Sequence, residues 1–170
     1  MGSATSKREV AERSTEAEQL SELELTLTVL WNCVRRWLDQ RSNSRGVSGL
    51  SDFDVFLLHL LVYRNRPLRG SDLAFALSID DMHLVSYSLK KLTRLGFTSS
   101  AKIGKEVFYT ALEKGKEHYL DFLKDRKKFL EPTMRFISHD HDLSALSTVL
   151  RALSGAYEQA ARSAASVRGQ

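Results

Sequence analysis

Residues 71–110 read SDLAFALSIDDMHLVSYSLKKLTRLGFTSSAKIGKEVFYT, and this stretch decides the fold. Ser71 and Asp72, followed by Leu73, Ala74 and Leu77 on one face, predict a short helix capped at Ser71. Ser78 to Asp81 interrupts the pattern. In the second helix Val85, Leu89 and Leu92 recur at i, i+4 and i+7, and Gly96 supplies a stop just past Leu95. Two short helices across a turn of a few residues make a helix-turn-helix, in which the small Ala74 lets the second helix pack closely on the first. Phe97 to Ala101 and Val107 to Thr110 have strand-like content and flank Lys102, Ile103, Gly104, Lys105 and Glu106, a basic hairpin loop with glycine. Thr110 with Glu113 predicts a capping box for the following helix. This is the element order of a winged helix-turn-helix.

Working outward, Phe53 to Val62 is apolar almost all round except at Asp54 and His59, so it predicts a core helix, capped by Ser51 or Asp52, with His59 a core histidine. Arg64 to Gly70 is a connector with one short strand. Further upstream Leu20, Leu23, Leu27, Leu30, Val34 and Leu38 form one helical stripe, widened by Trp31 and Trp37 and ended by the polar run Asp39 to Ser48. Downstream, Lys114 to Lys128 predicts a connecting helix with Tyr119, Phe122, Leu123 and Phe129 on its buried face. Leu143, Leu146, Leu150, Leu153, Tyr157, Ala160 and Ala164 then make a heptad seam in a helix that starts near Asp142. The expected class is mainly α with a small β-hairpin wing. A flexible arm over 1–18 is expected to precede one unit over 19–162, with a flexible tail over 163–170. Within that unit the winged helix-turn-helix spans about 50–111 and the dimerisation helices about 20–40 and 112–162.

A winged unit of roughly 65 residues cannot cover both terminal stripes, and stripes of that length left exposed invite aggregation. Dimerisation through Leu20, Leu23, Leu27, Leu30, Leu143, Leu146, Leu150, Leu153 and Tyr157 is the economical solution. The alternative is that the two stripes pack on each other within one chain. The 170 residues, 42% apolar and 27% charged, suit one ordinary globular unit, and two prolines with nine glycines are too few for an all-β sandwich. The net charge of +4 is unevenly placed. Residues 64–105 carry eight basic and three acidic side chains, a local +5, and the rest of the chain sums to −1. Such asymmetry suggests a polyanion-binding face.

In this order of elements the chain resembles the MarR-type (multiple antibiotic resistance) transcriptional regulators from Leu20 to about Ala161. Ile79 to Leu92, with the Gly104, Lys105, Glu106 wing, is similar to a branch of MarR-like winged-helix proteins. The resemblance implies a homodimer on pseudo-palindromic double-stranded DNA, released by a small-molecule effector bound between the winged domain and the terminal helices. The chain departs from the family's usual pattern in the wing, where Gly104, Lys105 and Glu106 replace an Asp-Arg pair. It departs again in the second helix, where Asp80 and Asp81 lie at the start and Tyr87 stands at a position that is commonly basic.

Residue chemistry distributes the roles. His83, Ser86, Tyr87, Lys90 and Lys91 on the second helix are expected to reach base edges or backbone in a major groove. Arg64, Arg66, Arg69 and Arg94 are expected on phosphates, and Lys102 and Lys105 ride on the wing. Asp80 and Asp81 complement the helix dipole, or accept from a cytosine amino group. The acidic start of this helix and the arginine-free wing leave one alternative, a winged-helix protein-interaction module without specific DNA binding. A second alternative is a redox-sensing regulator, because Cys33 lies among Trp31, Arg35, Arg36 and Trp37 and nearby arginine favours the thiolate.

Other chemistries fare poorly. His139, Asp140, His141 and Asp142 alternate ligand types, but a structural zinc site needs four ligands at defined spacing, and a helix N-cap at Asp140 or Asp142 explains the cluster without metal. No metal or cofactor is expected. There is no glycine-rich phosphate loop and no nucleophile elbow, so no catalytic residue is assigned. A single cysteine, no signal-peptide core and no apolar run of about 18 residues fit a cytoplasmic protein without a membrane partner. Gly2 with Ser6 matches the myristoylation pattern only weakly.

Overall fold

The computed structural model describes residues 3–44, 49–138 and 142–167, with side chains from residue 15 onward apart from those of residues 44, 136 and 138. The elements in chain order are α1 (Ser3–Ser44), α2 (Asp52–Arg64), β1 (Leu68–Arg69), α3 (Gly70–Ala76), α4 (Met82–Arg94), β2 (Thr98–Ile103), β3 (Glu106–Ala111), α5 (Glu113–Asp125), a π-helical turn (Arg126–Leu130), α6 (Glu131–Ser138) and α7 (Leu143–Val167). They fall into two compact units divided between Lys116 and Glu117.

The first unit holds the core. Leu57, Leu58 and Leu61 of α2, Leu73 of α3, and Val85, Leu89 and Leu92 of α4 are all at most 1% exposed. Buried apolar area of this kind is the main favourable term in folding. Beside these helices lies an antiparallel sheet of order β1-β3-β2, in which Leu68 pairs with Tyr109 and Ser100 pairs with Tyr109 from the other side. Ser51 caps α2 in a reciprocal box. Its Oγ accepts the Asp54 N–H at 3.2 Å, and Asp54 Oδ2 accepts the Ser51 N–H at 2.8 Å. The α3–α4 turn is closed by Ser78 at φ 51° and by the Ile79 N–H donating to the Ala74 carbonyl at 2.9 Å, the left-handed C-terminal arrangement of a helix.

Several expectations need correction. Ser71 does not cap α3: the helix begins at Gly70, and Asp72 accepts the Arg69 N–H at 3.0 Å, so the cap sits at Arg69. Thr110 caps nothing. It lies in β3 opposite Ser99, and the Leu112 carbonyl accepts the first helical N–H groups of α5. The hairpin loop shrinks to two residues, Gly104 and Lys105, because Gly104 at φ 63° takes the first central position of a tight turn, where glycine is unstrained. The polar run after Asp39 stays helical as far as Ser44, and α1 starts at Ser3 rather than near Leu20. Residues 3–18 have no apolar face, but Lys, Arg, Glu and Ala are good helix formers. Helix α7 likewise runs through 163–167.

The α1 stripe divides. Trp31 stacks on Phe56 of α2 with ring centroids 5.7 Å apart, Arg35 Nε meets Asp52 Oδ2 at 2.7 Å, and Leu38 is buried. Leu20 and Leu30 are about half exposed, and Leu23 and Leu27 are half-buried. In the second unit Phe122 is buried, with Arg126 over its ring at 4.7 Å. Phe129, in the π-helical turn, is 59% exposed instead of buried. Asp142 caps α7, accepting the Ser144 N–H at 2.8 Å. His139, Asp140 and His141 lie outside the described residues, as does Gly2. Among the described residues no helix is long and apolar enough to cross a membrane.

Candidate nucleic-acid interface

Helix α4 has two faces because its apolar residues repeat at helical spacing. With Val85, Leu89 and Leu92 turned into the core, His83, Ser86, Tyr87, Lys90 and Arg94 fall on the other side at i, i+3, i+4, i+7 and i+11. Ser86 is half-buried and the rest are exposed, Tyr87 by 65%. This is one continuous outward row of donors, an imidazole and a phenol. The helix start is built by Asp81, whose Oδ1 accepts the His83 and Leu84 N–H groups at 2.9 and 3.1 Å. That carboxylate therefore satisfies helix-terminal donors, the structural role expected of it. At the other end the Lys114 ammonium donates to the Leu95 carbonyl at 2.7 Å and lies 4.5 Å from the Phe97 ring centroid.

Arg64 at the end of α2 and Arg66 in the connector to β1 are exposed, and so are Lys102 near the wing tip and Lys105 in its turn. Two of the expected DNA contacts are placed otherwise. Lys91 is half-buried, and its Nζ lies 2.6 Å from Oδ2 of Asp54, a carboxylate only 1% exposed. It points into the protein, and the expectation of a groove contact is corrected. Arg69 is also committed. Its Nη2 meets Asp72 Oδ1 at 2.7 Å and its Nη1 meets Glu106 Oε1 at 2.7 Å, so the guanidinium clasps the start of α3 to the base of the wing instead of standing free for a phosphate. Between α3, α4 and the wing an open groove of about 340 Å³ is lined by Arg69, Ser71, Met82, Ser86, Glu106 and Tyr109, among others.

The clasp and the buried pair were not anticipated from the sequence. Asp72 three residues after Arg69 was a visible signal for the first half of the clasp, whereas Glu106 lies 37 positions away. The electrostatics follow the contacts. Hydrogen bonds from the Arg69 guanidinium, then its backbone N–H, hold the Asp72 carboxyl at about 2, below the ordinary 3.8, and Asp72 with Glu106 raises the Arg69 pKa. A depressed carboxylate pKa contributes stability that is present above pH 3.8 and is lost as pH falls through about 2. Thermal melts of wild type and Asp72→Asn should therefore differ at neutral pH and converge as pH falls across that window. A constant difference down to pH 2 would remove the clasp's electrostatic role. For Asp54, burial alone would raise the pKa, but the Lys91 ammonium and the hydrogen bonds of Ser51 and Ser88 win, and its pKa is lowered.

Cys33 is exposed on α1, and the Arg36 guanidinium donates to its Sγ at 3.2 Å. Among the described residues no group of three His, Cys, Asp or Glu side chains is arranged to hold a metal ion.

Comparison with known proteins agrees with this geometry. Residues 50–115 match the family model described as a winged helix DNA-binding domain. A search of the curated proteins finds no significant match. Among solved structures, the transcriptional regulator BldR from Sulfolobus solfataricus superposes with a TM-score of 0.63 at 15% identity, over 82% of this chain and 96% of that one. A MarR family transcription regulator gives 0.63 at 14% identity, over 88% and 97%. MarR itself gives 0.60 at 19% identity, over 82% and 98%. The fold of this chain is that of the MarR-type winged helix-turn-helix regulators.

Proposed function

We propose that the chain is a DNA-binding transcriptional regulator that acts as a homodimer on a pseudo-palindromic operator, with a small-molecule effector that releases it. The observation that carries this reading is the outward row His83, Ser86, Tyr87, Lys90 and Arg94 on α4, flanked by Lys102 and Lys105 on the wing, within the segment that matches a winged helix DNA-binding domain. Helix α4 enters the major groove, His83, Ser86, Tyr87 and Lys90 address base edges or adjacent backbone, and Arg64, Arg66 and Arg94 address phosphates. Two-fold symmetry places the paired α4 helices about 34–36 Å apart, one turn of duplex. Regulators of this kind carry no catalytic centre, and none is assigned here.

Of the acidic residues around the reading surface, Asp81 caps α4 and Glu106 is paired with Arg69, which favours a local structural role for both, whereas Asp80 is exposed. Selection of duplexes from a random pool with the purified protein, followed by titration at two salt concentrations, tests the reading. Failure to enrich any duplex would favour the interaction module. Replacing Lys90 or Lys105 with alanine should weaken binding and flatten the salt dependence. The log–log slope should fall by about 2 when each protomer of a dimer neutralises one phosphate fewer. An unchanged slope in both variants would take these lysines off the contact surface.

A further inference from the structure

Lys90 and Lys91 are chemically identical neighbours on α4, yet one is exposed and the other is folded onto Asp54. Successive helical residues lie about 100° apart around the axis, so even a modest rotation of α4 changes how far Lys90 and Lys91 each face outward. Buried Val85, Leu89 and Leu92 fix the coarse rotation of α4, but hydrophobic contact is non-directional and leaves the fine setting open. Asp54 supplies direction. Its Oδ2 takes the Lys91 ammonium at 2.6 Å, with Ser88, one turn earlier on α4, also buried. The same Asp54 Oδ2 accepts the Ser51 N–H at the start of α2, a turn that Arg35 of α1 also grips through Asp52. Helix α4 is thus tied at Lys91 to a carboxylate that the start of α2 holds in place.

We propose that Asp54 is a positioning residue that sets the rotation of α4, so that Lys90 and its row face outward. This rests on the reading of α4 as the DNA-reading helix. A buried ion pair contributes little net stability compared with apolar residues of similar volume, and fixing register is its best-attested use. Asp54 touches no DNA. It acts through Lys91.

The test compares Lys91→Met, Asp54→Asn, the double variant Asp54→Asn/Lys91→Met and the conservative Lys91→Arg, each by thermal melt, amide hydrogen exchange and DNA titration. The probes are a duplex selected by the wild type from a random pool and poly(dI-dC). The double variant should regain most of the melting temperature lost by the single variants, while α4 amides exchange at least about tenfold faster relative to those of α2. Its preference for the selected duplex over poly(dI-dC) should fall at least about tenfold, the cost of misreading one base pair, and Lys91→Arg should keep the preference. Asp54→Asn frees the Lys91 charge and should still weaken specific binding. If it instead strengthens binding to both duplexes and steepens the salt slope, Lys91 is a masked phosphate contact and the proposal falls. Unchanged α4 exchange in the folded double variant also overturns it. If the wild type itself enriches no duplex, the regulator reading fails, and the exchange measurement still judges Asp54 by itself.

Discussion

Replacing Leu146 and Tyr157 with arginine is expected to shift the protein from a species of about 38 kDa to the 19.2 kDa of a single chain, and to weaken operator binding by at least about 100-fold. Both residues lie on the heptad seam of α7, and both are more than 40% exposed in the protomer. No residue of α7 is buried: Leu143 is 40% exposed, and Leu150 and Leu153 are half-buried. A seam with a repeat of 3 and 4 residues that is still open in one protomer is the surface that coiled-coil packing closes. Because the two side chains are already exposed, arginine there removes the association without opening a cavity in the protomer, and far-UV circular dichroism should be unchanged. Loss of DNA binding then follows from valency, since each half-site must be held alone. Analytical ultracentrifugation decides it. A wild type that sediments at 19 kDa, or a variant that stays at 38 kDa, would refute the seam as the dimer interface.

The parts of this fold that could be read in the sequence are those set by local spacing. Val85, Leu89 and Leu92 gave α4 its inner face, Gly96 at φ 77° its end, and Asp142 the start of α7. The Lys102–Glu106 stretch announced a hairpin because a tight turn needs a residue that tolerates positive φ. What escaped was decided by contacts between distant elements. Nothing in the pair Lys90–Lys91 says which lysine meets a buried carboxylate; the partner of Lys91, Asp54, lies 37 positions away on α2. Arg69 looked like a phosphate contact for the same reason, since its second partner, Glu106, lies equally far along the chain. The Thr110 box failed because strand pairing with Ser99 outcompeted a local cap. The candidate site was thus legible as a row of exposed residues on α4. Lys91 and Arg69 looked, in sequence, like further DNA contacts, whereas in the fold one pairs with Asp54 and the other with Asp72 and Glu106.

The second large effect concerns a residue that sequence reasoning passes over. Gly115 lies in the first turn of α5, where alanine would ordinarily add about 1 kcal/mol of helix propensity. A Cβ there would stand 2.5 Å from the Phe97 carbonyl oxygen and 3.0 Å from Leu58 Cδ1. The carbonyl cannot simply retreat, because it accepts the Leu112 N–H at 2.9 Å and so ties the end of the wing to the entry of β2. Leu58 is fully buried. Overpacking of this kind costs about 1–3 kcal/mol, and a backbone clash that breaks a hydrogen bond adds roughly another 1 kcal/mol. Gly115→Ala should therefore lower stability by about 1–3 kcal/mol net of the propensity gain, a fall in melting temperature of roughly 3–10 °C at this chain length. Gly155→Ala is the internal control. That glycine lies in α7 with nothing within 4 Å of its added Cβ, so the same substitution should raise stability by up to about 1 kcal/mol. Opposite signs for one chemical change would show that contact with Phe97, rather than helix propensity, selects glycine at 115. Two shifts of the same sign would show that the Phe97 carbonyl yields to the added methyl, and that this contact does not select glycine at 115.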